Sequence, residues 1–146
     1  MAGFSFWQKW LLVIGVVITA FGALMAFSSG TPLFDLFHRQ INPAFWSGNA
    51  IDDATRRFQQ WVYGAWGATI AGWGVVLVYI ARYPFGKKER WAWDSLVSGV
   101  LLWFVLDTSL SLFHKVYFNV ALNTVLLILG MLPLMFTRRW FTQRQG

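Results

Sequence analysis

Three stretches of this sequence run for 22 or more residues without a charged side chain: 10–34, 58–81 and 116–137. A fourth stretch, 95–114, is interrupted only by Asp107. About 20 helical residues at 1.5 Å each cover the roughly 30 Å of hydrocarbon in a lipid bilayer. Because all four stretches reach that length, the sequence predicts an all-α, polytopic integral membrane protein with four transmembrane helices.

Trimming these stretches to their most apolar parts places the predicted spans at approximately 10–27, 58–81, 93–113 and 116–137. The short links between the last three spans predict that they are neighbours in an antiparallel four-helix bundle. We therefore expect the whole chain, residues 1–146, to form a single membrane domain. About 30 residues separate the first two spans and form the longest loop.

The composition supports a membrane protein and argues against several functional classes. Of the 146 residues, 57% are hydrophobic and 12% are charged, about half the charged fraction of a typical soluble domain. The chain has no cysteine, so thiolate metal sites and thiol nucleophiles are excluded. The net charge is +6, but the basic residues gather at the ends of the apolar stretches instead of forming one face. We therefore expect no nucleic-acid partner.

Basic residues are divided unevenly between the two sides of the predicted bundle. Four lie on the side of the long loop, whereas eight lie on the side of the termini: Lys9, Arg82, Lys87, Lys88, Arg90, Arg138, Arg139 and Arg144. Because cytoplasmic loops carry the excess of positive charge, we expect both termini in the cytoplasm and the long loop outside. The size and layout resemble those of small four-span proteins of the bacterial inner (plasma) membrane, so we expect that localisation.

Small residues recur at helical spacing along the first two spans. The second span has two such rows, Gly64, Ala68 and Gly72 with Gly67, Ala71 and Gly74 beside them, and the first span has Gly15, Thr19 and Ala23. Helices in a membrane associate through close backbone approach, which small side chains permit. We therefore expect the first two spans to pack against each other, with a seam between two copies of the chain as the alternative.

The long loop carries two local signals. Residues 33–41 predict a short surface helix that ends before Pro43. Farther along, Asp52 and Asp53 predict the start of the helix that contains the second span. Each aspartate is followed four residues later by an arginine, which predicts two weak ion pairs on the surface of that helix.

Asp107 is the residue with the most chemical content. An acidic group that faces lipid costs several kcal/mol, so such residues turn inward and find a polar partner or a wet cavity. Folding the third and fourth spans back on each other brings Asp107 level with Asn123, and Ser111 level with Asn119. Asp107 and Ser111 are four residues apart on one helix, and Asn119 and Asn123 are four residues apart on the other. We therefore expect the four polar side chains to converge.

Two interpretations of this cluster remain open. In the first, the cluster is a small pocket that opens to the outside and binds a proton, a cation or a polar head group. Further residues predicted to line it are Tyr63, Trp66 and Trp103, with Arg56 and Arg57 above. In the second, the cluster is a hydrogen-bonded clasp that holds two helices in register. Polar contacts between membrane helices average below about 1 kcal/mol, which is enough for that role.

These features favour a non-enzymatic membrane protein that binds a lipid, a small apolar ligand or a protein partner at the outward-facing cluster. The alternative is a proton-coupled small transporter or channel subunit that acts as a homo-oligomer, with Asp107 as the proton carrier. A lipid-modifying enzyme would need a second well-placed titratable group, so we expect no enzymatic activity. Asp35, His38 and His114 share one side of the membrane without any ligand motif, so we expect no metal and no cofactor.

Overall fold

The computed structural model describes residues 3–47 and 51–142, and every regular element in these ranges is helical. In chain order they are α1 (Phe4–Ser28), a short 3₁₀ turn (Pro32–Phe34), α2 (Asp35–Trp46), α3 (Asp53–Arg82), α4 (Arg90–Phe113), α5 (Tyr117–Thr137) and α6 (Arg139–Thr142). Four helices are long and apolar enough to cross a membrane: α1, α3, α4, and α5 together with α6. The all-α prediction and its four long apolar helices are therefore confirmed.

Three of the long helices extend beyond their predicted spans, whereas α5 stays within its own. α1 begins at Phe4, six residues before its predicted span, and α3 begins at Asp53, five residues before its own. Asp52 caps this helix, since its carboxylate accepts the backbone N–H of Thr55 at 2.7 Å. That hydrogen bond holds the pKa of the Asp52 carboxyl below its ordinary value of 3.8. The predicted helix start at Asp52 and Asp53 is thus confirmed.

The helices pack in two close pairs, α1 with α3 and α4 with α5, and α1 joins the pairs by also contacting α5. Within the described residues α3 and α4 make little direct contact, although a short turn links them. The prediction that the last three spans are all neighbours was therefore wrong for α3 and α4. The reason is that the small-residue face of α3 packs on α1, and the turn at 83–89 is long enough to separate the two helices.

Backbone contact between α1 and α3 repeats every seven residues. A Cβ atom added to Gly22 would lie 2.6 Å from the carbonyl oxygen of Gly67, and one added to Gly67 would lie 2.6 Å from that of Gly22. Seven residues along, Gly15 and Gly74 approach each other in the same way. At the next positions of the same register, side chains donate to backbone carbonyls across the seam, from Ser29 to Gln60 and from Gln8 to Ala81. A seven-residue repeat is typical of helices that wrap around each other with a left-handed supercoil.

This seam confirms that the first two spans pack together, but it uses a different face of α3 from the first row of small residues. Gly72 is exposed and an added Cβ would meet no atom within 4 Å, and Ala68 is exposed as well. The contact face is instead the neighbouring row with Gly67, Ala71 and Gly74. Both rows have helical spacing, so the sequence pattern alone does not distinguish them.

The start of α1, the short helix α6 and the α3–α4 turn meet at one end of the bundle, which we call the terminal end. Its core is built around Phe85, which is fully buried and lies against the rings of Phe4 and Phe141 at centroid distances of 5.5 and 4.8 Å. Leu11, Ala81, Ala92 and Leu134 complete the core. Phe85 thereby ties the turn to α1 and α6.

The opposite end, which we call the loop end, is formed by α2 and the α4–α5 turn at 114–116. The ring of Phe37 in α2 contacts Phe118 in α5 at 5.7 Å, and Phe45 contacts His114 in the turn at 5.5 Å. The expectation that this helix ends before Pro43 was wrong, because α2 runs through Pro43 to Trp46. Pro43 lies on the exposed side, where water can satisfy the carbonyl group that the proline leaves without a donor.

Proline also interrupts the hydrogen bonding of α5, this time inside an apolar helix. Pro133 has no N–H, so the carbonyl of Leu129 four residues earlier lacks its helical donor. The indole N–H of Trp10 in α1 donates to that carbonyl at 3.1 Å. Near the end of α5 the indole of Trp93 in α4 donates to the carbonyl of Leu134 at 2.8 Å. Two other helices thus donate hydrogen bonds to carbonyl groups of α5.

Candidate functional site

Three polar side chains form a hydrogen-bonded cluster between α4 and α5, which we call the Asp107 cluster: Asp107, Ser111 and Asn119. The side-chain amide of Asn119 donates to Asp107 Oδ1 at 2.7 Å and to Ser111 Oγ at 2.8 Å. The Ser111 hydroxyl in turn donates to the backbone carbonyl of Asp107 at 2.7 Å. The Ser111–Asn119 contact predicted from the fold-back of the two spans is therefore present.

Asn123 lies one helical turn farther along α5 and has a different partner from the predicted one. Its side-chain amide donates to the hydroxyl of Thr108 at 3.3 Å. Thr108 directly follows Asp107 and takes the position opposite Asn123, so the carboxylate of Asp107 bonds to Asn119 instead. Asn123 is almost completely buried, at 2% exposure, so it acts as an internal contact between α4 and α5.

The Asp107 cluster leaves two acceptor atoms unused. Both amide hydrogens of Asn119 and the Oδ1 atom of Asp107 are occupied within the cluster. Among the described residues, Asp107 Oδ2 and Asn119 Oδ1 have no hydrogen-bond partner, and neither atom is fully buried. Asp107 and Asn119 are each half-buried. The arrangement can therefore accept a proton or a hydrogen-bond donor, such as a hydroxyl or ammonium group, from outside.

The aromatic residues predicted to line this site are not gathered around it. Trp103 lies one turn from Asp107 on the same helix and is 37% exposed, but Tyr63 and Trp66 belong to α3, which packs on α1 rather than on α4. Trp66 is 59% exposed. The predicted grouping of the α3 aromatics with Asp107 was wrong, because it assumed that α3 and α4 are neighbours.

Tyr63 instead belongs to a second polar group, under α2 at the loop end. Its ring stacks on that of His38 at 5.5 Å with an interplanar angle of 11°. The Gln59 amide nitrogen lies 3.5 Å from the Tyr63 hydroxyl and donates to Asn42 Oδ1 at 2.7 Å. His38 Nδ1 lies 3.8 Å from an Asp35 oxygen, and its Nε2 atom is buried with no hydrogen-bond partner in the described part of the chain. These contacts attach α2 to α3.

The sequence analysis did not connect Gln59 with α2. The available signal was the spacing of Gln59 and Tyr63, which lie four residues apart and therefore on one face of α3. Two polar side chains on an apolar helix predict a polar partner, but only the folded loop identifies that partner as Asn42. The local spacing thus indicates a contact without naming it.

Arg56 and Arg57 lie exposed on the first turn of α3, away from the Asp107 cluster. The predicted ion pairs with Asp52 and Asp53 are absent from the described residues, where the recorded ion pairs are His38–Asp35 and Arg90–Asp94. Asp52 does not pair with Arg56 because its carboxylate caps the helix at Thr55.

The acidic and histidine side chains of the described ranges do not converge in any group of three that would hold a metal ion. His114 packs against the rings of Phe45 and Phe113, whereas His38 stacks on Tyr63. Comparison of the sequence with protein families and curated proteins, and of the structure with solved structures, found no match.

Proposed function

We propose that this chain is a multi-pass, non-enzymatic membrane protein that binds a hydrogen-bond donor group of a lipid or small apolar ligand at the Asp107 cluster. The observation that carries this proposal is that the two oxygens of the Asp107 carboxyl group have different surroundings. Asn119 holds Asp107 Oδ1 at 2.7 Å, while Oδ2 has no partner among the residues described. A structural clasp needs only the first oxygen, so the second is available for a ligand.

The membrane disposition is supported by the side chains that the bundle leaves uncovered. Phe27 is 90% exposed and Phe113 is 80% exposed, at the ends of two long apolar helices. Contact with acyl chains is favourable for such apolar surfaces, whereas contact with water is unfavourable. We propose an antiparallel arrangement of the four spans in the bacterial inner membrane. The eight basic residues on the side of the termini favour a cytoplasmic position for both termini, with α2 outside.

In this orientation the Asp107 cluster lies in the outer half of the membrane. Asp107 is six residues from the end of α4 at Phe113, which corresponds to about 9 Å along the helix. That depth is below the headgroups but within reach of a ligand whose polar end enters the outer leaflet. A neutral membrane-resident molecule or an amphiphile with a donor at one end fits both the depth and the two free acceptor atoms.

The test compares two amphiphiles of the same charge, of which only one can donate a hydrogen bond from its head group. One has a primary ammonium head and the other carries a trimethylammonium head on the same alkyl chain. Binding to the detergent-solubilised protein is measured by native mass spectrometry. We expect the wild-type protein to prefer the primary ammonium compound, because only this compound has N–H groups for Asp107 Oδ2 and Asn119 Oδ1.

Matched variants separate the site from general charge effects. Asp107→Asn should abolish the preference, whereas Asp94→Asn, which removes an exposed carboxylate at the far end of α4, should leave it unchanged. Equal binding of the two amphiphiles to the wild-type protein, or an equal loss in both variants, would contradict the proposal. Melting curves of the variants establish that each remains folded.

A proton-coupled transporter or channel subunit is the second candidate, because a titratable carboxyl within an apolar helix is a typical proton carrier. At this size the pathway would require several copies of the chain, or a membrane protein partner. Reconstituted vesicles with an imposed pH gradient distinguish the two functions. Transport that is driven by the pH gradient and lost in Asp107→Asn would favour the transporter or channel. Absence of transport together with ammonium-selective binding would favour the first function.

A further inference from the structure

The terminal end carries a groove of about 690 Å³ between the start of α1 and the corner where α5 gives way to α6. Its lining residues are Trp7, Met135, Phe136, Arg138, Arg139, Trp140 and Thr142. The groove lies at the opposite end of the bundle from the Asp107 cluster. It combines an apolar floor, two indole rings and two adjacent guanidinium groups, which is an unusual set for a surface that only faces acyl chains.

The apolar part of the groove is ordered by ring stacking. Trp7 of α1 lies parallel to Phe136 of α5, with a centroid distance of 4.8 Å and an interplanar angle of 9°. On the other side Trp140 contacts the ring of Phe4 at 5.6 Å. Each indole is therefore held by a ring contact where it lines the groove, and both offer a flat apolar surface to an alkyl chain.

The charged part of the groove is also held in place. The Arg139 guanidinium lies 4.1 Å from the centroid of the Trp140 ring, a cation–π contact that orients it. Lys88 lies 5.4 Å from the centroid of Phe4, which is next to Trp140, so a third cation is close to the same aromatic group. Arg138 is exposed beside Arg139 at the corner of the groove.

These cations have no carboxylate partner among the described residues. Near the terminal end of the bundle, the described residues include two acidic side chains, Glu89 and Asp94. Glu89 accepts the indole N–H of Trp91 at 2.6 Å, and Asp94 lies 3.6 Å from Arg90. The positive charge of the groove is therefore uncompensated, and a planar guanidinium matches the oxygens of a phosphate group well.

We propose that this groove binds one anionic phospholipid, with its phosphate on Arg138 and Arg139 and one acyl chain along Trp7, Phe136 and Met135. The charge selects an anion, while the apolar floor selects a ligand with an alkyl chain rather than free phosphate. The position supports the same occupant, because the groove lies where α5 leaves its apolar segment and aromatic rings gather at the membrane surface.

The test measures lipid retention in detergent, where no charged membrane surface contributes. Protein in a neutral detergent is mixed with phosphatidylglycerol or with phosphatidylcholine, and bound lipid is counted by native mass spectrometry. We expect one phosphatidylglycerol per chain and no comparable retention of phosphatidylcholine. Replacing both arginines, as Arg138→Gln with Arg139→Gln, should weaken phosphatidylglycerol binding by up to about 25-fold, since one exposed ion pair contributes at most about fivefold.

A control with the same change of net charge is Arg82→Gln with Lys87→Gln, which removes two exposed cations from the α3–α4 turn at the same end. This variant should retain phosphatidylglycerol as the wild-type protein does. An equal loss in both double variants would reduce the effect to net charge and overturn the site. Trp7→Leu keeps the charge and should weaken binding, because it removes the flat wall of the floor.

Inorganic phosphate identifies which part of the lipid is recognised. If the alkyl chain contributes as proposed, phosphate at equal concentration should leave the bound lipid in place. Complete displacement by phosphate would show an anion site without a lipid floor and would overturn the lipid assignment. None of these outcomes depends on Asp107, so the groove and the proposed function of the Asp107 cluster are tested separately.

Discussion

The hydrogen bond from Trp10 to the carbonyl of Leu129 should be needed only because α5 contains a proline. Pro133 leaves that carbonyl without a helical donor, and the indole N–H replaces it at 3.1 Å. In the membrane setting proposed above, acyl chains around this carbonyl cannot hydrogen bond, so the indole N–H matters more than it would in water. Trp10→Phe removes the N–H, retains an aromatic ring, and should therefore destabilise the protein.

The size of the effect follows from two kinds of measurement. Leaving a buried polar group unsatisfied costs about 1–3 kcal/mol in proteins generally. Hydrogen bonds between helices in a membrane average about 0.6 kcal/mol, with values up to about 1.7 kcal/mol. Both ranges include values near about 1 kcal/mol, which is our expectation for the hydrogen-bonding part. The smaller ring of phenylalanine adds a packing loss that is not specific to Leu129.

A double-mutant cycle with Pro133→Ala separates these two parts. The substituted alanine has a backbone N–H that can donate to Leu129 in the usual helical way, so Trp10 is no longer needed as a donor. The packing loss of Trp10→Phe is the same in both backgrounds and cancels. Trp10→Phe should thus cost about 1 kcal/mol more in the proline background than in the alanine background.

The assay is reversible unfolding in mixed micelles with increasing sodium dodecyl sulfate, followed by far-ultraviolet circular dichroism. All four proteins of the cycle are measured under the same conditions, and their unfolding free energies are compared. Equal costs of Trp10→Phe in the two backgrounds would refute the reasoning, because the indole would then not compensate for the missing donor.

Three further predictions concern the polar groups. Asn119→Leu should lower the unfolding free energy by about 0.6–1.7 kcal/mol in the same assay. Gln59→Leu should loosen α2, measured as faster hydrogen exchange in that helix with unchanged exchange in α5. The Thr55 N–H lowers the pKa of Asp52, so the ionised Asp52 carboxylate stabilises the first turn of α3. This stabilisation is fully present when the pH is above the ordinary pKa of 3.8. That stability is lost as the pH falls through the lowered pKa, which amide exchange of the first turn should show, and Asp52→Asn should remove the dependence.

The four long helices could be predicted from the sequence because their cause is local. Transfer of a charged side chain into hydrocarbon is costly, so the length of an uncharged stretch reports directly on the length of a membrane-crossing helix. The same applies to the start of α3, where Asp52 satisfies a free N–H within its own turn. Such features depend on a few neighbouring residues and need no knowledge of the other helices.

The contact between Ser111 and Asn119 was also predictable, because a short turn fixes how α4 and α5 face each other. The position of Tyr63 was not. It depends on which helices are neighbours, and a chain of apolar helices has many arrangements of similar energy because lipid is as apolar as the helix surfaces. Here α3 packs on α1 rather than on α4, and α2 folds over Tyr63.

The choice between the two rows of small residues on α3 is where geometry decides what spacing leaves open, and one pair of variants tests it. Gly67→Ala places a Cβ 2.6 Å from the carbonyl oxygen of Gly22, about 0.8 Å inside the 3.4 Å at which ordinary contact begins, so the two backbones must move apart. Gly72→Ala meets no atom within 4 Å. Both changes gain the same helix propensity, so the difference between their unfolding free energies isolates the steric cost, which should be about 1–3 kcal/mol. If the two variants are equally stable, the seven-residue seam between α1 and α3 does not hold these helices together.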